Sequence, residues 1–282
     1  MTGERRRRED SLAGQKVRLD VLLVKRGLFQ SREQAKAATL SGQVRVDGQK
    51  ICKPAVQVPA DAELSVAERP PYVSRGGLKL EKAIRVFRLN LEGKVVLDVG
   101  ASTGGFTDCA LSHGARLVYA VDVGYGQLAW KLRTCPQVVV LERTNIRHLS
   151  KEMLPLPPDF AVVDVSFISL KLVLPRVGEL TTEDSGGVVL VKPQFEAGRE
   201  KVGKRGVVRD PLVHREVLAE ICSLVTSLRW KVRGLDYSPL RGPEGNIEFL
   251  LYYEKKGGNG LLPEEIKAKI SSVVEEAHHF LN

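Results

Sequence analysis

Cysteine is scarce in this 282-residue sequence: Cys52, Cys109, Cys135 and Cys222 lie far apart, with no Cys-x-x-Cys spacing and no histidine pair nearby. That pattern suggests neither a disulfide framework nor a zinc site, and leaves four reduced, mostly buried thiols as the expectation. Histidine is equally sparse. His113, His148 and His214 stand alone, while His278 and His279 are neighbours on an expected helix and point in different directions, so none is read as a metal ligand. Long apolar runs are missing as well: the longest, such as Val188 to Val191, are strand-sized, against the roughly 18 residues of a membrane-spanning helix. No transmembrane segment is expected. The charged start, Glu4-Arg5-Arg6-Arg7-Arg8-Glu9-Asp10, runs into no apolar stretch, which argues against a secretory signal and for a cytoplasmic protein with no stable membrane association.

What is present is an ordinary globular balance, 43% hydrophobic and 27% charged, over a length that suits one large and one small domain. The net charge of +9 is unevenly placed: residues 1–75 hold 15 Lys and Arg against 9 Asp and Glu, and residues 76–282 hold 28 against 25. That asymmetry is the electrostatic footprint of a module that tracks a phosphate backbone, with a solvated basic face as the plain alternative.

In the basic part, Leu19, Leu22, Leu23 and Val24 make a short helical stripe ending at Gly27, and a second helix opens at Ser31 with Gln34 placed for a capping box and Gly42 closing it. Val44, Val46 and Ile51 flank Asp47-Gly48, a pair suited to a tight turn between strands. Arg32 and Lys36 are one helical turn apart, and Arg18, Lys25, Arg26, Arg45 and Lys50 extend a basic surface around them. The runs Arg18-Leu19-Asp20, Ser31-Arg32-Glu33-Gln34-Ala35 and Gly42-Gln43-Val44-Arg45-Val46-Asp47-Gly48 resemble the RNA-binding module first described in ribosomal protein S-four. The resemblance implies binding to structured RNA through shape and phosphate contacts.

Arg69-Pro70-Pro71-Tyr72-Val73 reads as an extended connector. Beyond it a helix carries Leu80, Ala83, Ile84 and Phe87 on one stripe, and its geometry sets Lys79 at the stripe's edge and Lys82 away from it. Apolar strand-like runs then alternate with helical segments: Val95 to Val99, Leu117 to Val121, Val138 to Leu141, Phe160 to Val163 and Val188 to Val191. That predicts an α/β fold with an open, mostly parallel sheet. Two later runs, Lys231 to Leu235 and Ile247 to Tyr253, are joined too briefly for a crossover helix, so the last strand is expected to be antiparallel, and a helix from Pro263 to Leu281 follows.

The first strand enters the glycine-rich turn Asp98-Val99-Gly100-Ala101-Ser102-Thr103-Gly104-Gly105-Phe106-Thr107, where close approach of a ligand to the backbone would explain the glycines. Ser102 stands where a nicotinamide-binding turn wants its second glycine. The turn instead resembles the first motif of S-adenosylmethionine-dependent methyltransferases. Asp122 ends the second strand, where a carboxylate can take ribose hydroxyls; Asn145-Ile146 fits the place that such enzymes give the adenine, and Phe167 borders the same pocket or packs in the core.

Asp164 and Lys192 each follow an apolar strand directly and emerge at the edge where open α/β sheets bind ligands; Glu248, at the start of an antiparallel strand, falls at the same edge. With Lys79 they make a Lys, Asp, Lys, Glu set that resembles the tetrad of the FtsJ-like ribose 2′-O-methyltransferases. The whole chain, over about residues 16–254, resembles the TlyA family, through Ser74-Arg75-Gly76-Gly77-Leu78-Lys79-Leu80, Asp164-Val165-Ser166-Phe167-Ile168-Ser169 and Lys192-Pro193-Gln194-Phe195-Glu196.

The resemblance implies a Rossmann-like methyltransferase with a small RNA-binding domain: residues 1–15 a basic tail, 16–68 the S-four-type domain, 69–75 a linker, 76–256 the methyltransferase and 257–282 a C-terminal helix. It implies S-adenosylmethionine as cofactor, no metal, and ribosomal RNA within ribosomal subunits as partner. The reaction would be methylation of a ribose 2′-hydroxyl, of cytidine in 16S rRNA, 23S rRNA or both, with Lys192 as base, Asp164 and Glu248 orienting it and Lys79 assisting at the hydroxyl. A lysine acts as base only when its ammonium form is disfavoured, which burial and a second lysine would do. Two other classes stay open here: a membrane-damaging protein, as the haemolysin label on some family members suggests, and an RNA-binding assembly factor that has lost activity.

Overall fold

The computed structural model describes residues 15–67 and 71–281, which form two compact units. Most of the expected tail, and residues 69 and 70 of the expected linker, lie outside the described residues.

In the first unit, strand β1 (Lys16–Arg18) leads into helix α1 (Leu19–Lys25), and α2 (Arg32–Leu40) follows. The α2 start is fixed by Ser31 Oγ, which accepts from Gln34 N at 3.2 Å, while Gln34 Oε1 accepts from Gln30 N at 3.2 Å, a capping box with its return bond moved one residue outward. Strands β2 (Val44–Val46) and β3 (Gln49–Lys50) join through Asp47 and Gly48 at φ 48° and 76°, the left-handed pair that matches strand twist. Strands β4 (Gln57–Pro59) and β5 (Leu64–Val66) pair antiparallel with β1 and β2. Leu19, Leu22 and Leu23 pack on Ala35, Ala38, Val44 and Val58 in a small core.

The second unit is built on a seven-stranded sheet: β6 (Val95–Val99), β7 (Leu117–Val121), β8 (Val138–Leu141), β9 (Phe160–Val163), β10 (Gly186–Val191), β11 (Lys231–Tyr237) and β12 (Phe249–Glu254). Their order is β11-β12-β10-β9-β6-β7-β8, and β12 alone runs against its neighbours. Both faces are covered, so successive residues of one strand go to different cores. Val95, Leu97 and Val99 meet the layer of α6 (Leu170–Leu180), α8 (Pro211–Ser227) and α9 (Pro263–Leu281), whereas Val96 meets α3 (Gly76–Phe87) and α4 (Gly105–Ser112). The short helices α5 (Trp130–Arg133) and α7 (Pro193–Glu196) complete the unit.

The helix expected as a separate C-terminal segment buries Ile270, Val273, Val274 and Ala277 in the main core, so it belongs to this unit physically. Nor does His214 stand alone: fully buried, it shares a 2.9 Å hydrogen bond between its Nδ1 and Nε2 of His278. Burial, then the nearby His278, push the His214 imidazole down to about 4. All four cysteines are free; Cys109 and Cys222 are buried and Cys52 is exposed. Among the described residues no helix is long and apolar enough to cross a membrane.

Candidate active site

Sheet register places the site. Val99 pairs with Val121 and Val163, so Gly100, Asp122 and Asp164 stand level at one edge; β10, whose Val189 pairs with Val163, runs two residues further, and its Val191 pairs with Phe249, which brings Lys192 and Glu248 side by side just beyond the same edge. The β12 reversal matters here, because it brings the residue before that strand, rather than one after it, to this edge. Lys79 arrives from the first turn of α3, whose start is clasped to the start of α4: a Cβ on Gly105 would lie 2.3 Å from Ser74 Oγ and 2.8 Å from Gly77 N.

The four charged residues form two ion pairs. Lys79 Nζ lies 2.6 Å from Glu248 Oε2, and Lys192 Nζ lies 2.6 Å from Asp164 Oδ1. Glu248 therefore orients Lys79, and the expectation that it directly orients Lys192 is corrected by the geometry. Lys192 Nζ also donates to Ser166 Oγ at 2.9 Å, a contact without any sequence signal, since the partners are 26 residues apart. Lys79, Lys192 and Glu248 are buried, and burial raises the Glu248 carboxyl above its usual range while Lys79 pulls it back. Lys82, expected to point away, is held as well: its Nζ donates to Asp236 Oδ1 at 2.9 Å and Tyr237 O at 2.7 Å, on the flank of β11.

Two cavities open on this edge and share Gly100, Ser102, Asp164 and Ser166. The first, about 770 Å³, is lined by Asp122, Asn145, Ile146 and Phe167 among others; the second, about 420 Å³, holds Lys79, Lys192, Glu248, Ala101, Thr103, Gly105 and Phe106 in its wall. Phe167 is not core: it is 89% exposed, sits at φ 63° and packs its ring 5.1 Å from that of Phe195. A left-handed phenylalanine is strained backbone, kept only where surrounding contacts fix it. Glu196 supplies two of these, accepting from Ser169 Oγ at 2.6 Å and Leu170 N at 2.8 Å, so the segment after β10 grips the segment after β9.

Of the expected cofactor contacts, Asp98, Gly104 and Thr107 line neither cavity. Asp98 is fully buried; Thr107 Oγ1, also buried, donates to its Oδ2 at 2.6 Å and thereby ties the strand to the helix behind the loop. Burial raises the Asp98 carboxyl to about 7, against that hydrogen bond. Gly104, at φ +95°, would point a Cβ to within 2.3 Å of Leu132 Cδ1 and 2.8 Å of Leu128 Cδ1, and Gly100 would point one to 2.4 Å from Asp164 O. At both positions the protein packed there leaves no room for a Cβ. Asp122 accepts from Ser102 N and Gly124 N, both at 2.7 Å, and each oxygen keeps a second lone pair for a hydroxyl.

In the first unit the expected basic surface is partly neutralised. Arg18 and Arg32 both lie 2.9 Å from Oδ2 of the buried Asp20, whose carboxyl they hold well below the usual range, Arg18 most strongly. Arg26 donates to Ala60 O at 2.7 Å and Arg45 to Gly48 O at 3.1 Å. Lys25, Arg26, Arg32, Arg45 and Lys50 remain exposed, and Lys36 is half-buried.

This fold and this site define a Rossmann-like methyltransferase coupled to an RNA-binding module. Residues 72–255 match the model of the FtsJ-like methyltransferases, and residues 17–64 match that of the S4 domain. The chain is 43% identical over 264 residues to the 16S/23S rRNA (cytidine-2'-O)-methyltransferase TlyA of Mycobacterium tuberculosis, covering 93% of this chain and 98% of that one. A Bacillus subtilis protein, YqxC, provisionally named an rRNA methyltransferase, is 50% identical over 275 residues, 96% of this chain and 97% of its own. A solved structure from Streptococcus thermophilus with a provisional hemolysin name superposes with a TM-score of 0.72 at 45% identity, over 95% of this chain and 97% of that one. The chain belongs to the FtsJ-like methyltransferase family and, within it, to the TlyA group.

Proposed function

We infer that this protein transfers a methyl group from S-adenosylmethionine to a ribose 2′-hydroxyl of ribosomal RNA in the cytoplasm, with cytidine as the target nucleoside by analogy with the Mycobacterium tuberculosis relative. The observation that carries the reading is the pair of cavities meeting at Gly100, Ser102, Asp164 and Ser166, one of them walled by two lysine–carboxylate pairs.

The donor set of the larger cavity fits the cofactor: a carboxylate at Asp122 for ribose hydroxyls, the Asn145 side chain for an adenine edge, and apolar Ile146 and Phe167 beside it. When bound there, S-adenosylmethionine supplies an electrophilic methyl group on a sulfonium. The residues of the smaller cavity prepare the acceptor. Asp164 and Ser166 fix the direction of Lys192 Nζ, which takes the proton of the 2′-hydroxyl, and Lys79, held by Glu248, donates a hydrogen bond to the same oxygen. Basic side chains of the first unit, Lys25, Arg26, Lys36 and Lys50 with the remainder of Arg18, Arg32 and Arg45, contact RNA phosphates.

The test is methylation of ribosomal subunits with labelled cofactor, followed by mapping of the modified nucleotide. Label at a ribose 2′-oxygen is the expected result; label on a base, or none on RNA, overturns the proposal.

A further inference from the structure

Residues 198–209 follow α7 and contain Arg199, Lys201, Lys204, Arg205 and Arg209 against the one acid Glu200. The second unit, residues 71–282, holds 29 cations against 25 acids, and without this loop it holds 24 of each, so the loop carries the whole of its positive excess. Lys201 is paired with Glu216 at 2.6 Å. Arg199, Lys204, Arg205 and Arg209 are exposed and make no ion pair or side-chain hydrogen bond to any described residue. Four like charges in eleven residues repel one another, and that arrangement gains free energy only when an anion comes to it.

The loop is also built rather than slack. Val207 and Val208 are buried, and Gly203 N donates to Val207 O at 3.1 Å. Asn246, fully buried, accepts from Val208 N at 2.9 Å and donates to Gly206 O at 2.9 Å. Asn246 belongs to the connection between β11 and β12 that ends in Glu248, and Leu240 and Pro243 of the same connection line the smaller cavity. One buried amide thus pins the cationic loop beside the acceptor cavity.

We propose that residues 199–209 are a phosphate clamp that grips the RNA backbone next to the target nucleotide, giving the catalytic unit an RNA contact of its own. The inference rests on the reading of RNA as substrate. An anionic lipid surface offers phosphates too, but an element bound to it would also present an apolar face. Here the apolar residues Val207 and Val208 point inward, which favours RNA.

The test uses the full chain with Arg199, Lys204, Arg205 and Arg209 all changed to Gln, and separately Lys204→Glu. Binding to deproteinised ribosomal RNA is measured across a salt series, with S-adenosylmethionine affinity by calorimetry as the check on folding. The fourfold variant should bind RNA about 10- to 100-fold more weakly and lower the slope of log affinity against log salt by about 3, from about 0.7–0.9 per lost phosphate contact. Lys204→Glu should give a smaller loss in the same direction, and cofactor affinity should not change. Unchanged RNA affinity and slope in the fourfold variant, while the wild type binds and methylates RNA, overturns the clamp alone. Loss of binding to phosphatidylglycerol vesicles with RNA binding intact also overturns it, in favour of a membrane role. A wild type that neither binds nor methylates RNA overturns the proposed function together with the clamp.

Discussion

Gly100→Ala should impair this enzyme through Asp164. The added Cβ would stand 2.4 Å from the Asp164 carbonyl oxygen and 2.9 Å from its carbon, where ordinary contact begins at 3.4 Å, so the ends of β6 and β9 must part by about 1 Å. Neither obstacle is the tip of a flexible side chain that could swing aside. Gly100 also has φ +88°, a conformation that costs a residue with a Cβ about 1–2 kcal/mol. Moving the Asp164 backbone opens its 2.6 Å contact with Lys192 Nζ and shifts a wall shared by both cavities. A 1 Å misplacement of reacting groups can cost about 10²-fold in rate, and that is the expected loss in single-turnover methylation at saturating cofactor and RNA. Stability should fall by about 2 kcal/mol, so the assay is run well below the unfolding temperature of the variant. A folded Gly100→Ala enzyme within about threefold of the wild-type rate would refute the argument that this glycine sets the position of Asp164.

Lys192→Ala and Lys192→Arg should both lose about 10²- to 10⁴-fold in the methyl-transfer step with cofactor binding retained by calorimetry, because guanidinium keeps its proton; near-normal turnover by the Arg variant would make Lys192 a binding residue. Glu196→Ala should weaken cofactor binding by releasing Ser169 and Leu170, while Glu196→Gln, which can still accept from Leu170 N, should restore most of it; equal defects in the two variants would count against the grip between the two loops. His214 is held near 4 in the folded protein against an ordinary imidazole value of 6.5, so the unfolded chain binds the extra proton between those values and stability falls as pH falls through that window. Its contribution should drop by about 2 kcal/mol between about pH 7 and pH 5. An NMR titration showing His214 protonated at about pH 6 would contradict this.

The strands that end in functional residues were legible because an apolar run, once placed in a parallel α/β sheet, delivers the next residue to one fixed edge. Phe160 to Val163 places Asp164 there and Val188 to Val191 places Lys192, and only the direction of β12 had to be added for Glu248. The helix Pro263–Leu281 and the Asp47-Gly48 turn were equally local, written in periodicity and in a residue pair with left-handed backbone. Partnerships were not local. Lys79 meets Glu248 across 169 residues, and which carboxylate each lysine takes follows from strand order and from how α3 leans on α4. The glycine loop shows the same divide: its composition announced close approach, but the direction of each absent Cβ, toward Asp164, Leu132 or Ser74, exists only in three dimensions. The sign and number of charges could be counted along the chain. That the buried Asp20 takes up Arg18 and Arg32, while Arg199, Lys204, Arg205 and Arg209 find no ion-pair partner among the described residues, was decided by packing, because a charge is neutralised by what lies within a few ångströms and not by its neighbours in sequence.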